Sequence, residues 1–91
     1  MIINLIQERQ EMEQEDKVKA VIRQLKDNGY RITAQRRMLL EIILENQYSS
    51  CKEIYFAAKE RDRKVGMATV YRMVQILEDM ELVHKEMAVR L

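Results

Sequence analysis

No proline occurs among the 91 residues, and only two glycines do. That scarcity limits the fold before any motif is read. Small strand-rich domains turn often, and their turns draw on Gly and Pro. The common residues here (Met, Leu, Glu, Lys, Gln and Arg) lose little rotamer freedom in a helix. The chain therefore reads as mostly helical, with Gly29 and Gly66 as structural punctuation. Its length gives room for one small domain and one core.

Composition narrows the function. Apolar residues make up 47% and charged residues 34%, a soluble globular balance. No apolar run approaches the roughly 20 residues of a membrane helix. Residues 1–6 lack the basic lead and long apolar stretch of a secretory signal. One cysteine and one histidine argue against a disulfide or a self-contained zinc site. No nucleophile motif and no glycine-rich phosphate loop is present, so an enzyme is not expected. A small cytoplasmic domain that works by binding is the expectation.

Periodicity predicts four helices. Over 16–28, Val18, Val21, Ile22 and Leu25 recur at i, i+3, i+4 and i+7, and Asn28-Gly29 is a stop signal. Over 34–45, Thr33 is the expected N-cap, and Met38, Leu39, Leu40, Ile42, Ile43 and Leu44 make the helix apolar nearly all round, hence central. Arg36 and Arg37 stand in its first turn, against the helix dipole, which is easier to understand with an anion nearby. Over 51–61, Ser50-Cys51-Lys52-Glu53 has the capping-box pattern. Over 67–80, Val70, Met73, Val74 and Leu77 form a core face, while Ala68, Tyr71, Arg72 and Gln75 form another at the same spacing. Residues 82–91 alternate, as a strand does, with no hairpin partner following. Residues 1–15 read as an arm or an extension of the first helix, and 16–91 as the domain.

Charge is segregated along the chain. Residues 1–28 hold five bases against six acids, 29–72 nine against five, and 73–91 two against four. A basic central stretch within a net charge of +1 is a modest nucleic-acid footprint. The last three helices, with a tight linker before the fourth, suit a helix-turn-helix whose final helix enters the major groove. Arg72 suits guanine O6 and N7, while Tyr71 and Thr69 suit thymine methyls or phosphates. Ala68 and Gly66 are small where the helix would come closest. The alternative is structural: Tyr71 half-buried, and Arg72 paired with Glu78 or Asp79. Cys51 and His84 read as ordinary packing and surface residues, and Met38, Met73 and Met80 fit core positions.

Three motifs occur in order: Gly29-Tyr30-Arg31-Ile32-Thr33-Ala34-Gln35-Arg36-Arg37, then Glu53-Ile54-Tyr55, then Gly66-Met67-Ala68-Thr69-Val70-Tyr71-Arg72, with Leu82-Val83 after them. They resemble the Gly-Tyr-Arg-x-Thr-x-Gln-Arg, Glu-Ile-Tyr and Ala-Thr-Val-Tyr-Arg motifs of the ferric uptake regulator (Fur) family, over about residues 17–86. The resemblance implies the winged helix-turn-helix domain of a bacterial transcriptional repressor, with an incomplete or truncated β-wing. It implies DNA binding by Arg31, Arg36, Arg37, Ala68, Thr69, Tyr71, Arg72 and Gln75. By the same likeness Arg31 probes an AT-rich minor groove, where the potential is most negative. The partner implied is an AT-rich palindromic operator, with a homodimer as one way to read it.

Three departures matter. Family members continue into a dimerising domain that carries most of their zinc or iron ligands, and this chain is expected to lack it, and with it a cofactor and metal sensing. Tyr48 stands where the family often has a histidine ligand, and Glu81 where it often has glycine. Glu81 is expected to cost strain of roughly 1–2 kcal/mol or to force a different helix end. The competing functional reading is a protein-interaction module that pairs through the N-terminal arm and strand 82–91 without reading DNA.

Overall fold

The computed structural model describes residues 2–4, 14–45 and 50–85. A short strand, β1 (Ile2–Asn4), precedes helices α1 (Gln14–Asp27), α2 (Ala34–Glu45), α3 (Cys51–Arg61) and α4 (Met67–Asp79), and a second strand, β2 (Val83–Lys85), follows. The protein is mostly helical, as the shortage of turn-formers requires.

Each helix end has a local cause. In α1, Val18, Val21 and Leu25 are buried and Ile22 lies at the margin of the core. The helix closes where Gly29 takes a φ of 87°. There the Gly29 N–H donates to the Lys26 carbonyl at 3.0 Å and the Tyr30 N–H to the Leu25 carbonyl at 2.9 Å, a Schellman ending. Thr33 caps α2 as expected, its Oγ1 accepting from the Arg36 N–H at 3.1 Å. Leu39, Leu40, Ile42, Ile43 and Leu44 are all buried, so α2 is the central helix. At α3 the Ser50 Oγ accepts from the Glu53 N–H at 3.4 Å. In α4 the residues Val70, Met73, Val74 and Leu77 face the core.

The end of α4 repeats that of α1 without a glycine. Glu81 takes a φ of 60°. Its N–H donates to the Glu78 carbonyl and the Leu82 N–H to the Leu77 carbonyl, both at 2.9 Å. Buried Leu82 and Leu77 supply the apolar contact that accompanies this motif.

The expectation of a partnerless last strand is corrected. β2 pairs antiparallel with β1, with Ile2 opposite Lys85, Ile3 opposite His84 and Asn4 opposite Val83. The partner comes from the other end of the chain, a distance over which sequence spacing carries no pairing signal. The first residues, expected as an arm or helix extension, thus supply a strand, and α1 starts at Gln14 rather than 16. Tyr48, residues 5–13 of the expected arm and residues 86–91 of the expected strand lie outside the described residues. Met38 and Met80 pack against the core that Met73 joins, and Cys51 is partly buried against it. Among the described residues no helix is long and apolar enough to cross a membrane.

Candidate nucleic-acid interface

The site forms where the first turn of α2 meets α4. The segment before α2 is folded back on it, because the Arg36 Nη1 donates to the Arg31 carbonyl at 2.7 Å. That bond holds the Arg31 backbone at the helix start while the residue itself stays exposed. Arg36, Thr69, Arg72, Met73 and Ile76 line one crevice of about 20 Å³, the space of a single water. Two guanidinium-bearing residues from different helices therefore border the same small cleft.

The second face of α4 points to solvent. Ala68, Arg72 and Gln75 are exposed, and Tyr71 is 52% exposed. Among the described residues no ion pair joins Arg72 to Glu78, to Asp79 or to any other acid. Of the structural alternative for this face, the half-buried Tyr71 fits its 52% exposure, while the acid pairing of Arg72 is not seen among the described residues. Gly66 caps α4 without a side-chain bond, and the first turn of α4 carries no acid. The Thr69 and Val70 N–H groups both donate to the Gly66 carbonyl, at 3.1 and 3.2 Å.

Arg37 is placed differently. Its Nη2 donates to Glu15 at 2.8 Å and its Nε to Glu41 at 3.3 Å. Arg61 approaches the other Glu41 oxygen at 2.7 Å. The anion that two arginines in a helix's first turn called for is, for Arg37, supplied by the chain itself. The bond from Arg61, with help from Arg37, holds the Glu41 carboxyl below the ordinary glutamate range.

The α3–α4 turn is organised by Asp62. Its Oδ2 accepts from Gln35 Nε2 at 3.0 Å and its Oδ1 from the Lys64 N–H at 2.9 Å. Its own N–H donates to the Ala58 carbonyl at 2.8 Å, and its carbonyl accepts from the Val65 N–H at 3.1 Å. The Gln35 bond, then the Lys64 amide, lowers the Asp62 carboxyl below its usual range. Val65, next in the turn, is buried and anchors it to the core.

Of the residues expected at the site, Arg36, Thr69 and Arg72 are brought together, Tyr71, Ala68 and Gln75 share the exposed α4 face, Arg31 is exposed and bonded to Arg36 through its carbonyl, and Arg37 is tied into ion pairs. Sequence reading quoted Gln35 only as a motif residue and gave no role to Glu41 or Asp62. The Arg37–Glu41 pair was visible as an i, i+4 spacing. Gln35 and Asp62 are 27 residues apart, and Glu41 and Arg61 are 20 apart, so those contacts had no local signal.

Comparison with known proteins finds relatives of this chain. The ferric uptake regulation protein of Bacillus subtilis (strain 168) is 32% identical over 73 residues, 78% of this chain and 49% of that protein. That of Brucella suis biovar 1 (strain 1330) is 35% identical over 63 residues, 68% of this chain and 45% of that protein. That of Legionella pneumophila is 39% identical over 64 residues, 68% of this chain and 47% of that protein. The chain thus spans about half the length of the curated relatives it matches. No solved structure is a significant match. The profile of the Ferric uptake regulator family matches residues 27–89, a span that takes in Arg31, the α2 arginines and all of α4, and the chain therefore belongs to that family.

Proposed function

We propose that this chain is the sequence-specific DNA-binding domain of a Fur-like transcriptional repressor, with α4 in the major groove of an AT-rich operator. The observation that carries the reading is the division of α4 into two faces. Val70, Met73, Val74 and Leu77 hold the helix to the core, which leaves Ala68, Tyr71, Arg72 and Gln75 outward. A helix presented in this way fits a groove about 12 Å wide. Tyr71 and Arg72 read base edges, and Ala68 permits close approach. Arg36 meets phosphate, and Arg31 reaches the adjacent minor groove. Only β2 follows the recognition helix, at the place where a winged helix-turn-helix carries its wing, and its partner β1 comes from the start of the chain. The likeness to proteins named for ferric uptake regulation supports a regulatory role.

Arg37 contributes to phosphate binding only if it leaves Glu15 and Glu41, so Arg31, Arg36 and Arg72 carry most of the electrostatic contact. Among the described residues no three His, Cys, Asp or Glu side chains cluster to hold a metal. One chain covers one half-site of a palindrome, so a second copy is needed to read the whole of it.

The test is fluorescence anisotropy with an AT-rich palindromic duplex at matched salt. Arg72→Ala and Tyr71→Ala are expected to weaken binding by roughly 1–3 kcal/mol per lost base contact. Equal titrations for the variants and the parent would remove α4 from the interface. A stable dimer in sedimentation that ignores the duplex would favour the protein-interaction reading instead.

A further inference from the structure

We propose that Gln35 and Asp62 act as a positioning pair that sets the angle of α4 against α2, and so determine sequence specificity without touching DNA. The inference rests on the DNA-binding reading of α4. Its basis is the convergence of bonds on Asp62. Both carboxylate oxygens, its N–H and its carbonyl are all engaged, by Gln35, Lys64, Ala58 and Val65. One of these bonds, to Ala58, closes α3, and two, from Lys64 and Val65, shape the turn that launches α4. The fourth, from Gln35 at 3.0 Å and partly buried, is the one that reaches across to another helix. Gln35 immediately precedes Arg36, which borders the crevice shared with Thr69 and Arg72. The pair therefore couples the phosphate-facing turn of α2 to the start of the reading helix. A side-chain bond at a hinge acts on base contacts more than on phosphate contacts, because base readout tolerates far less displacement than Coulomb attraction does.

The polarity of the bond supplies the experiment. Gln35→Glu sets a carboxylate against a carboxylate and breaks the bond. Adding Asp62→Asn reverses donor and acceptor, since the new amide at position 62 donates to the carboxylate introduced at position 35 while its oxygen still accepts from Lys64. Gln35→Met removes the donor without changing charge. Asp62→Asn alone is tolerated, because the Gln35 amide turns over to offer its oxygen. Each variant is titrated against the duplex that the parent chain enriches from a randomised AT-rich pool, and against a scrambled duplex of the same composition.

Gln35→Glu and Gln35→Met are expected to lower the ratio of specific to non-specific affinity about tenfold, and the double variant to recover it, while Gln35→Met leaves scrambled-duplex binding and its salt slope unchanged. Retention of the ratio by Gln35→Met, or failure of the double variant to recover what Gln35→Glu loses, overturns the proposal. If Gln35→Met does not fold, the comparison of Gln35→Glu with the double variant decides alone. Arg72→Ala runs beside them. A parent chain that enriches no duplex overturns the DNA reading itself. A parent that discriminates, an Arg72→Ala that does not, and a Gln35→Met that does would overturn the positioning role only.

Discussion

Glu81 and Gly29 occupy the same place in two helix endings of the same type, and only one of them suits it. Both take a positive φ, 60° for Glu81 and 87° for Gly29. An L-residue in the left-handed region brings its Cβ against a carbonyl oxygen, at a cost of roughly 1–2 kcal/mol. Glycine avoids that cost but loses more backbone freedom on folding. Glu81→Gly is therefore expected to stabilise the domain by about 0.5–1 kcal/mol, read as a higher urea midpoint at constant slope. The mirror change makes the same argument. A Cβ at Gly29 would meet nothing within 4 Å, so space does not forbid alanine. The dihedral does, and Gly29→Ala is expected to destabilise by about 1 kcal/mol in the same assay. Lys17 shows the limit of reading residues by class. It is 6% exposed, one turn before Val21 on the same side of α1, where a long aliphatic stem can lie along the core.

Helices α1, α2 and α3 are laced together at the surface by four side chains. Glu15 of α1 and Arg61 of α3 both reach α2, the first through Arg37 and the second through Glu41. Exposed pairs of this kind are worth little individually. Their larger effect is on which cations face outward, because Glu41 compensates Arg37 and Arg61 and leaves Arg31, Arg36 and Arg72 for an outside anion. Two measurements follow at this scale. Glu41 and Asp62 both have carboxyls lowered from their ordinary range in the folded chain. A lowered folded pKa stabilises above the unfolded pKa and loses that contribution as the pH falls through the folded one. The benefit is thus complete above the ordinary carboxylate range and is lost progressively as the pH falls below that range through the lowered folded values. Urea unfolding at a series of pH values is expected to show that decline, and Glu41→Gln to flatten it. The same substitution weakens the hold on Arg37 and Arg61. It is expected to steepen the salt dependence of binding to a scrambled duplex by about 1 in log–log slope. An unchanged slope would mean that those two arginines never meet phosphate.

Across the whole molecule, the ends of the described chain are joined. Extents of 39 × 33 × 23 Å leave few residues far from solvent, and the described core draws on all four helices and β2. β1 adds the partner that β2 needs, from the opposite end of the sequence. That pairing also occupies one edge of β2, so the interchain pairing pictured for an interaction module would compete with a strand of the same chain. Deletion of residues 1–4 is expected to speed hydrogen exchange of the Val83–Lys85 amides at least about tenfold while the α2 and α4 amides keep their protection. Equal exchange in the two proteins would show that β1 adds nothing to β2. A second copy of the domain, linked by a fused coiled coil, would raise affinity for a palindrome by effective concentration alone.

The bounds of α2 and α3 and the start of α4 were legible residue by residue, because capping is a local transaction. Thr33, Ser50 and Gly66 each act within four positions of themselves. The two faces of α4 were legible for the same reason, since a 3.6-residue period sorts side chains without knowledge of the rest of the fold. The cations of the site were legible as residues and not as an arrangement. Nothing local says that Arg36 and Arg72 border one crevice, that Arg37 is held by Glu15, or that Gln35 bonds Asp62. Nor does spacing say which strand pairs with β2. Propensity, periodicity and caps act over one or two turns, and the sequence alone determined what depends on them. Contacts between distant residues depend on how the helices pack, and only the tertiary structure decided those.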